Sequence, residues 1–253
     1  MVVMAKLAGA QASHIVLGET MAADLRQYTP EVKSTFVLNN AGLVDPRLSK
    51  LPEKDVTDAV RVLGHLSNLN ADKGLAEVLE LALSLNRQGR RTKLIIGGPA
   101  SDDWTRNALA AAKAELGDML DYRGPLYGDN KRKFFQDIEV FVFPTKYRNE
   151  ASPLVLLEAM SAGAPCLSVA LGCISEDLGE KGGFAFLPDE PFVGAATKSL
   201  DHIYEHYSAR SRAARERYVE LLSEHRIQLS ELAQRLRVGQ SVLPMALDHK
   251  RVD

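Results

Sequence analysis

The chain has 253 residues, 45% hydrophobic and 25% charged, with 31 Lys+Arg against 33 Asp+Glu for a net charge of −2. That balance excludes a disordered tail, a collagen-like repeat and a disulfide scaffold. No global field draws such a chain to nucleic acid or to acidic lipid, so neither nucleic-acid binding nor membrane contact is expected.

No apolar run reaches the ~18 residues of a transmembrane helix. Ala8-Gly9-Ala10 has the small residues of a cleavage site but lacks the basic and apolar regions of a signal peptide ahead of it. Cys166 lies in the apolar run Ala164 to Ala170 and Cys173 in a polar turn, one in a strand and the other in the loop after it. No disulfide is expected between them, and two free thiols suit a reducing cytoplasm.

In chain order, the pattern predicts a short strand at His14–Leu17, a helix at Glu19–Tyr28 and a strand at Val32–Asn39 closed by an Asn-Asn-Ala-Gly turn. An irregular polar segment, Leu43–Val56, follows. Strand Val60–Leu66, helix Gly74–Gln88, strand Lys93–Ile96 and helix Asp102–Leu116 come next. A short strand near Met119–Arg123, a small helix at Lys131–Gln136 and a strong strand at Ile138–Phe143 lead to helix Pro153–Ala162. Strands at Pro165–Val169 and Gly183–Leu187 complete the alternation, and the chain is mostly helical from Pro191 to Arg237. Tyr218, Leu222, Leu229, Leu232 and Leu236 fall on one helical stripe there, and Gly239 to Asp253 reads as frayed. Strands joined by helices of this length predict an α/β fold: a single Rossmann-like, doubly wound parallel sheet with a helical C-terminal tail.

The most informative stretch is Asn149 to Gly163. Ser152 and Pro153 read as an N-cap and first helical residue, and Gly163 as the stop. The helix between them is apolar except for Glu158. A lone carboxylate there needs a partner, either a structural ion pair or backbone donor, or the hydroxyls of a ligand. Glu150 stands in the loop after a strand, where ligands of such sheets lie, although an exposed loop charge is its ordinary meaning. Leu66 to Gly74 joins a strand to a helix and sets Lys73 at the helix entrance, a place for an anion. A solvated lysine is the alternative. Neither a Walker A loop nor a Gly-x-Gly-x-x-Gly fingerprint is present.

These segments resemble a family. Glu150 and Glu158, seven residues apart and followed by Ala159-Met160-Ser161-Ala162-Gly163-Ala164-Pro165, resemble the E-x7-E signature of the retaining GT-B glycosyltransferases of family four, "glycosyl transferases group 1". Leu66–Gly74 is similar to their diphosphate-holding strand-loop-helix. Phe141-Val142-Phe143-Pro144-Thr145 resembles the strand before the signature, and Gly172-Cys173-Ile174-Ser175-Glu176 the loop after it. Ala12–Gly18 and Val37–Gly42 are similar to the interdomain segment.

The resemblance implies transfer of a glycosyl group from a UDP-, GDP- or ADP-sugar with retention, without a metal and without a glutamate nucleophile. Glu150 would contact the donor sugar and Glu158 the ribose. Lys73 would stabilise the leaving diphosphate with the help of the backbone at Ser152, Pro153 and Leu154, and Ser67 and Asn68 would complete the phosphate loop. Asn68 stands where many members carry Arg, Ser67 where many carry Gly, and Cys173 and Ser175 replace Gly and Pro.

Length then matters. At roughly 150–200 residues per domain with its connections, the chain holds one of the family's two domains, the donor-binding C-terminal half. The expected division is 1–30 as a remnant of the interdomain and acceptor segment, 31–190 as the donor domain and 191–253 as C-terminal helices. Two readings follow: a transferase domain served by an acceptor domain supplied elsewhere, or a non-catalytic nucleotide-sugar-binding or interaction remnant. An exposed former interdomain face predicts a partner protein or a homodimer.

Weaker patterns point to structure. His202-Ile203-Tyr204-Glu205-His206 matches a zinc-protease pattern, but no third ligand is apparent and no metal is expected. Arg210, Arg212, Arg215 and Arg217 read as a solvated helix face, Trp104 as a packing residue, and Phe134, Phe135, Phe141 and Phe143 as core.

Overall fold

The structure, a computed structural model, describes residues 12–54, 56 and 60–236. The small residues Ala8-Gly9-Ala10 and the tail read as frayed, Gly239 to Asp253, lie outside that set. The described chain opens with β1 (Ser13–Val16), α1 (Glu19–Tyr28) and β2 (Ser34–Val37). β1 and β2 pair in parallel as a two-stranded sheet of their own, over a small core of Val16, Ala22, Leu25 and Val32. The boundary expected at residue 30 therefore falls inside a βαβ unit. Glu176 holds this unit to the rest of the chain by accepting from the backbone N–H of Glu19 and Thr20 at 2.9 and 3.0 Å, where α1 needs an acceptor for its free donors.

Two 3-10 turns follow, Asn40–Leu43 just before the segment expected to be irregular and Leu48–Lys50 within it. Six parallel strands then form the main sheet in the order β5-β4-β3-β6-β7-β8. They are β3 (Arg61–Leu66), β4 (Thr92–Gly97), β5 (Leu120–Tyr122), β6 (Val140–Phe143), β7 (Cys166–Val169) and β8 (Gly183–Phe186). The crossover helices are α2 (Leu75–Arg87), α3 (Asp103–Leu116), α4 (Gly128–Asp137), α5 (Leu154–Ser161) and the short α6 (Ile174–Leu178). The sequence reading placed α6 in a loop; at five residues it is too short to show a helical period.

β6 shows why both faces are covered. Val140 and Val142 join one apolar cluster with α2, α3 and α7 (Phe192–Glu205), while Phe141 and Phe143 join the other with α4 and α5. Alternate side chains point to opposite faces of a strand, so an uninterrupted apolar strand needs two cores. Phe134, Phe135, Phe141 and Phe143 are all buried, as expected.

The helical tail is two helices. α7 ends at His206, and α8 (Tyr207–Arg235) runs back across the second face. Tyr218 and Leu221 are buried, Leu222, Leu229 and Leu232 only partly so, and Leu236 is exposed. The expected stripe thus fades along the helix. Ser211 donates to Gly163 O at 2.7 Å and Arg215 to Ala162 O at 3.2 Å, satisfying carbonyls at the end of α5. Arg217 donates to the carbonyls of Asp177 and Glu176. Arg215 and Arg217 are therefore structural ties, which corrects the solvated-face reading for those two positions.

Candidate active site

Strand order reverses between β3 and β6. Their crossovers leave in opposite directions there, opening a crevice at the carboxyl ends. A cavity of about 360 Å³ lies at this point. One bank is the β3 loop, with Ser67, Asn68 and Lys73; the other is the start of α5, with Glu150, Pro153, Leu154 and Glu158. Pro99, Tyr127 and Lys131 also line the cavity. The eight residues singled out from sequence thus fall on two facing loops and one helix, with Ser152 buried directly before Pro153. Other concavities occur, one of about 540 Å³ beside Lys146 and Phe192, but they hold neither signature glutamate.

Two ion pairs dominate the cavity. Lys73 Nζ lies 2.6 Å from Glu150 Oε2, and Thr145 Oγ1 donates to the same oxygen at 3.1 Å. The Lys73 ammonium also sits over the Tyr147 ring at 4.6 Å. The second pair joins Lys131 Nζ to Glu158 Oε1, also at 2.6 Å. Burial pushes the Glu158 carboxyl above its ordinary value, and the Lys131 ammonium draws it back. Glu158 Oε2 is buried without a hydrogen-bond partner. Both readings of Glu158 therefore meet: one oxygen is in a structural pair and the other remains an open acceptor.

Lys131 was not found from sequence. Its partner is 27 residues away and it is one of three consecutive basic residues on α4, with Arg132 and Lys133, so no local pattern marks it. His65 was also missed, although a His two residues before a Ser on one strand face was a usable signal. The ring is fully buried, with Nδ1 at 2.8 Å from Val142 O and Nε2 at 2.9 Å from Ser67 Oγ. Burial lowers its pKa to about 4, the Val142 carbonyl opposing that shift.

Gly74 lets the two banks approach. Its φ of 77° is left-handed, and a side chain there would collide with the Pro144 carbonyl oxygen. Asn70 Oδ1 accepts from the Lys73 N–H at 2.8 Å, which holds the turn before α2.

Several expectations change. α5 starts at Leu154 and Pro153 is its flanking residue, so Ser152 caps no helix N–H. Ser152 instead faces Asp177 of α6. Burial pushes the Asp177 carboxyl up to about 7, with the Ser152 hydroxyl opposing. Neither Ser152 Oγ nor Asp177 Oδ2 reaches full hydrogen-bond geometry. Cys173 lies in the turn before α6, as expected, but is completely buried, its sulfur against Gly18; both cysteines are free. Trp104 is 46% exposed and packs into no core, because it opens α3 on the outer side. His202, Glu205 and His206 do bring three ligand atoms together, but all three residues are exposed and none lines the cavity. Among the described residues, no helix is long and apolar enough to cross a membrane.

A parallel sheet with a switch-point cavity and paired glutamates and lysines on its banks defines a class, and comparison with solved structures agrees. The sucrose-phosphate synthase of Thermosynechococcus elongatus superposes with a TM-score of 0.70 at 21% identity, covering 93% of this chain and 61% of that one. Anabaena HepE, solved in complex with UDP-glucose, gives a TM-score of 0.70 at 18% identity over 92% of this chain and 66% of its own. The fold is that of the GT-B glycosyltransferases. The chain belongs to the family Glycosyl transferases group 1, whose model matches residues 50–218. The sulfoquinovosyl transferase SQD2 of Arabidopsis thaliana is 30% identical over 157 residues, which is 60% of this chain and 29% of that protein. The chain spans less than a third of the length of the curated relatives it matches.

Proposed function

We propose that the cavity binds a nucleoside-diphosphate sugar and that the chain transfers its glycosyl group with retention, using an acceptor-binding domain supplied elsewhere. The observation that carries this reading is the meeting of Lys73 and Glu150, 77 residues apart, at the switch point beside the start of α5. Lys73 supplies a cation for the diphosphate, and the free N–H groups opening α5 at Leu154 and Val155 supply donors for the same charge. Glu150, released from Lys73 as the diphosphate arrives, takes the sugar hydroxyls. Glu158 Oε2 takes a ribose hydroxyl while Lys131 stays on Oε1. Asn68, exposed at the rim, completes the phosphate loop.

In the transfer the bond from the anomeric carbon to the diphosphate oxygen breaks, and the bond to the acceptor oxygen forms on the same face. The acceptor proton leaves with the diphosphate. The cations in this cavity are lysines, which supports a reaction run without a metal ion. The exposed Ile15, Ile227 and Leu236 support a docked partner domain or second copy on the side where β1 and the end of α8 lie. Two free cysteines fit action in the cytoplasm.

Calorimetric titration with UDP-, GDP- and ADP-glucose tests the reading. Saturable binding of one of them, weakened at least tenfold by Lys73→Ala, is the expected result. A folded chain that binds none overturns it.

A further inference from the structure

Among the polar groups of the cavity, one hydroxyl has its direction fixed from behind. A carbonyl oxygen only accepts, so the 2.8 Å contact between His65 Nδ1 and Val142 O places the proton on Nδ1. The opposite tautomer would set two lone pairs against each other in a fully buried site. A neutral imidazole with Nδ1 protonated has Nε2 as an acceptor. Ser67 Oγ, at 2.9 Å from Nε2, must then donate its one hydrogen to the ring. What Ser67 turns to the cavity is lone pairs alone. Such a group repels a phosphate oxygen and accepts from an O–H or N–H.

Position narrows the ligand group. The His65 ring stacks on Phe143 with centroids 6.0 Å apart, and the Lys73 ammonium lies 5.8 Å from the same Phe143 ring. Ser67 therefore shares the β3 bank with Lys73, whose partner Glu150 takes the sugar hydroxyls in the donor-site reading. We propose that His65 fixes Ser67 as a hydrogen-bond acceptor for a hydroxyl of the transferred sugar, and that Ser67 gives no bond to the diphosphate. The ligand half of this statement rests on the donor-site reading above; the orientation of the hydroxyl does not. His65 acts as a positioning residue and Ser67 as a specificity-determining one.

Two measurements on the full chain test it. Long-range proton–nitrogen NMR correlations of the ligand-free protein at pH 7 are expected to show His65 neutral and protonated on Nδ1, with the Nε2 resonance displaced in Ser67→Ala. An Nε2-protonated ring, or an imidazolium, overturns the proposal. Calorimetry then compares UDP, GDP and ADP with their glucose conjugates. Ser67→Ala is expected to weaken the bound nucleotide sugar about fivefold and the matching nucleoside diphosphate by less than twofold. Ser67→Thr, which keeps the hydroxyl, restores the native ratio. Equal losses for both probes overturn the assignment to the sugar. If the native chain binds neither probe, the donor reading falls and the imidazole tautomer alone decides the orientation of Ser67.

Discussion

The two lysine–glutamate pairs of the cavity are equally short and differently supported. Lys73 and Glu150 both come from loops, and the Glu150 oxygen they share receives a second bond from Thr145. Glu158 is fixed on a helix between buried neighbours, its side chain 7% exposed, with one oxygen on Lys131 and the other on nothing. An arriving ligand must exchange bonds at the loop end and adds a bond at the helix end. The first arrangement suits a group that is gripped and released in each cycle, the second a standing recognition element. The same chemistry is thus supported differently according to whether it is built on a turn or on a packed helix.

The contact between the banks is the largest lever on this contrast. Gly74→Ala puts a side chain into the Pro144 carbonyl at a left-handed position and is expected to cost about 4 kcal/mol in urea unfolding, with loss of nucleotide-sugar binding. Next comes the support beneath α5. The folded-state pKa of Asp177, about 7, lies above its ordinary 3.8, so the native fold holds the proton more tightly than the unfolded chain. Its contribution is present at low pH and is lost as pH rises from about 4 through 7. Asp177→Asn removes that slope, and its stability relative to the native chain is expected to rise by about 3 kcal/mol between pH 4 and pH 8.

Lys131→Ala leaves the Glu158 charge buried and alone. About 2 kcal/mol is expected after allowing for the partial exposure of the lysine, recovered in part by adding Glu158→Gln. Lys73→Ala, with Thr145 still bonded to Glu150, is expected to lose about half as much stability while losing more binding. The reverse order in thermal unfolding would erase the distinction between the two ends. The smallest effect lies behind the β3 bank. Asp102 accepts from the Thr105 N–H at 2.7 Å as the N-cap of α3, and Asp102→Ala is expected to lower the thermal midpoint by less than Lys73→Ala does.

The order of strands and helices was readable because each carries its own period or punctuation. β6 is a run of four buried residues, and Gly163 is left-handed where the helix before it stops. Glu158 and Lys73 were readable because an isolated charge in an apolar helix or at a helix entrance violates a local rule, and Glu150 through its place after a strand and its spacing from Glu158. Lys131 and Asp177 violate none in their own segments; their meaning comes from partners brought near by the sheet. Ser152 shows the opposite error, since its sequence context is that of a cap and burial against Asp177 gave its hydroxyl another neighbour. The separate β1–β2 pair was not legible either, because a strand of four residues does not declare which sheet it joins.

The path of α8 has a consequence for how the chain folds. Asn39 Nδ2 donates to Leu221 O and its N–H to Gln228 Oε1, contacts spanning 182 and 189 residues, and His225 Nδ1 lies 2.7 Å from Asn39 O. These bonds close a ring through nearly the whole described chain. Ring closure over such a distance forms late, after local helices and neighbouring strands are in place. On a ribosome, Asn39, just after β2, must wait for α8 to emerge before these bonds can form. Cutting the chain before α8 would therefore strip Asn39 of all three of these contacts in one step.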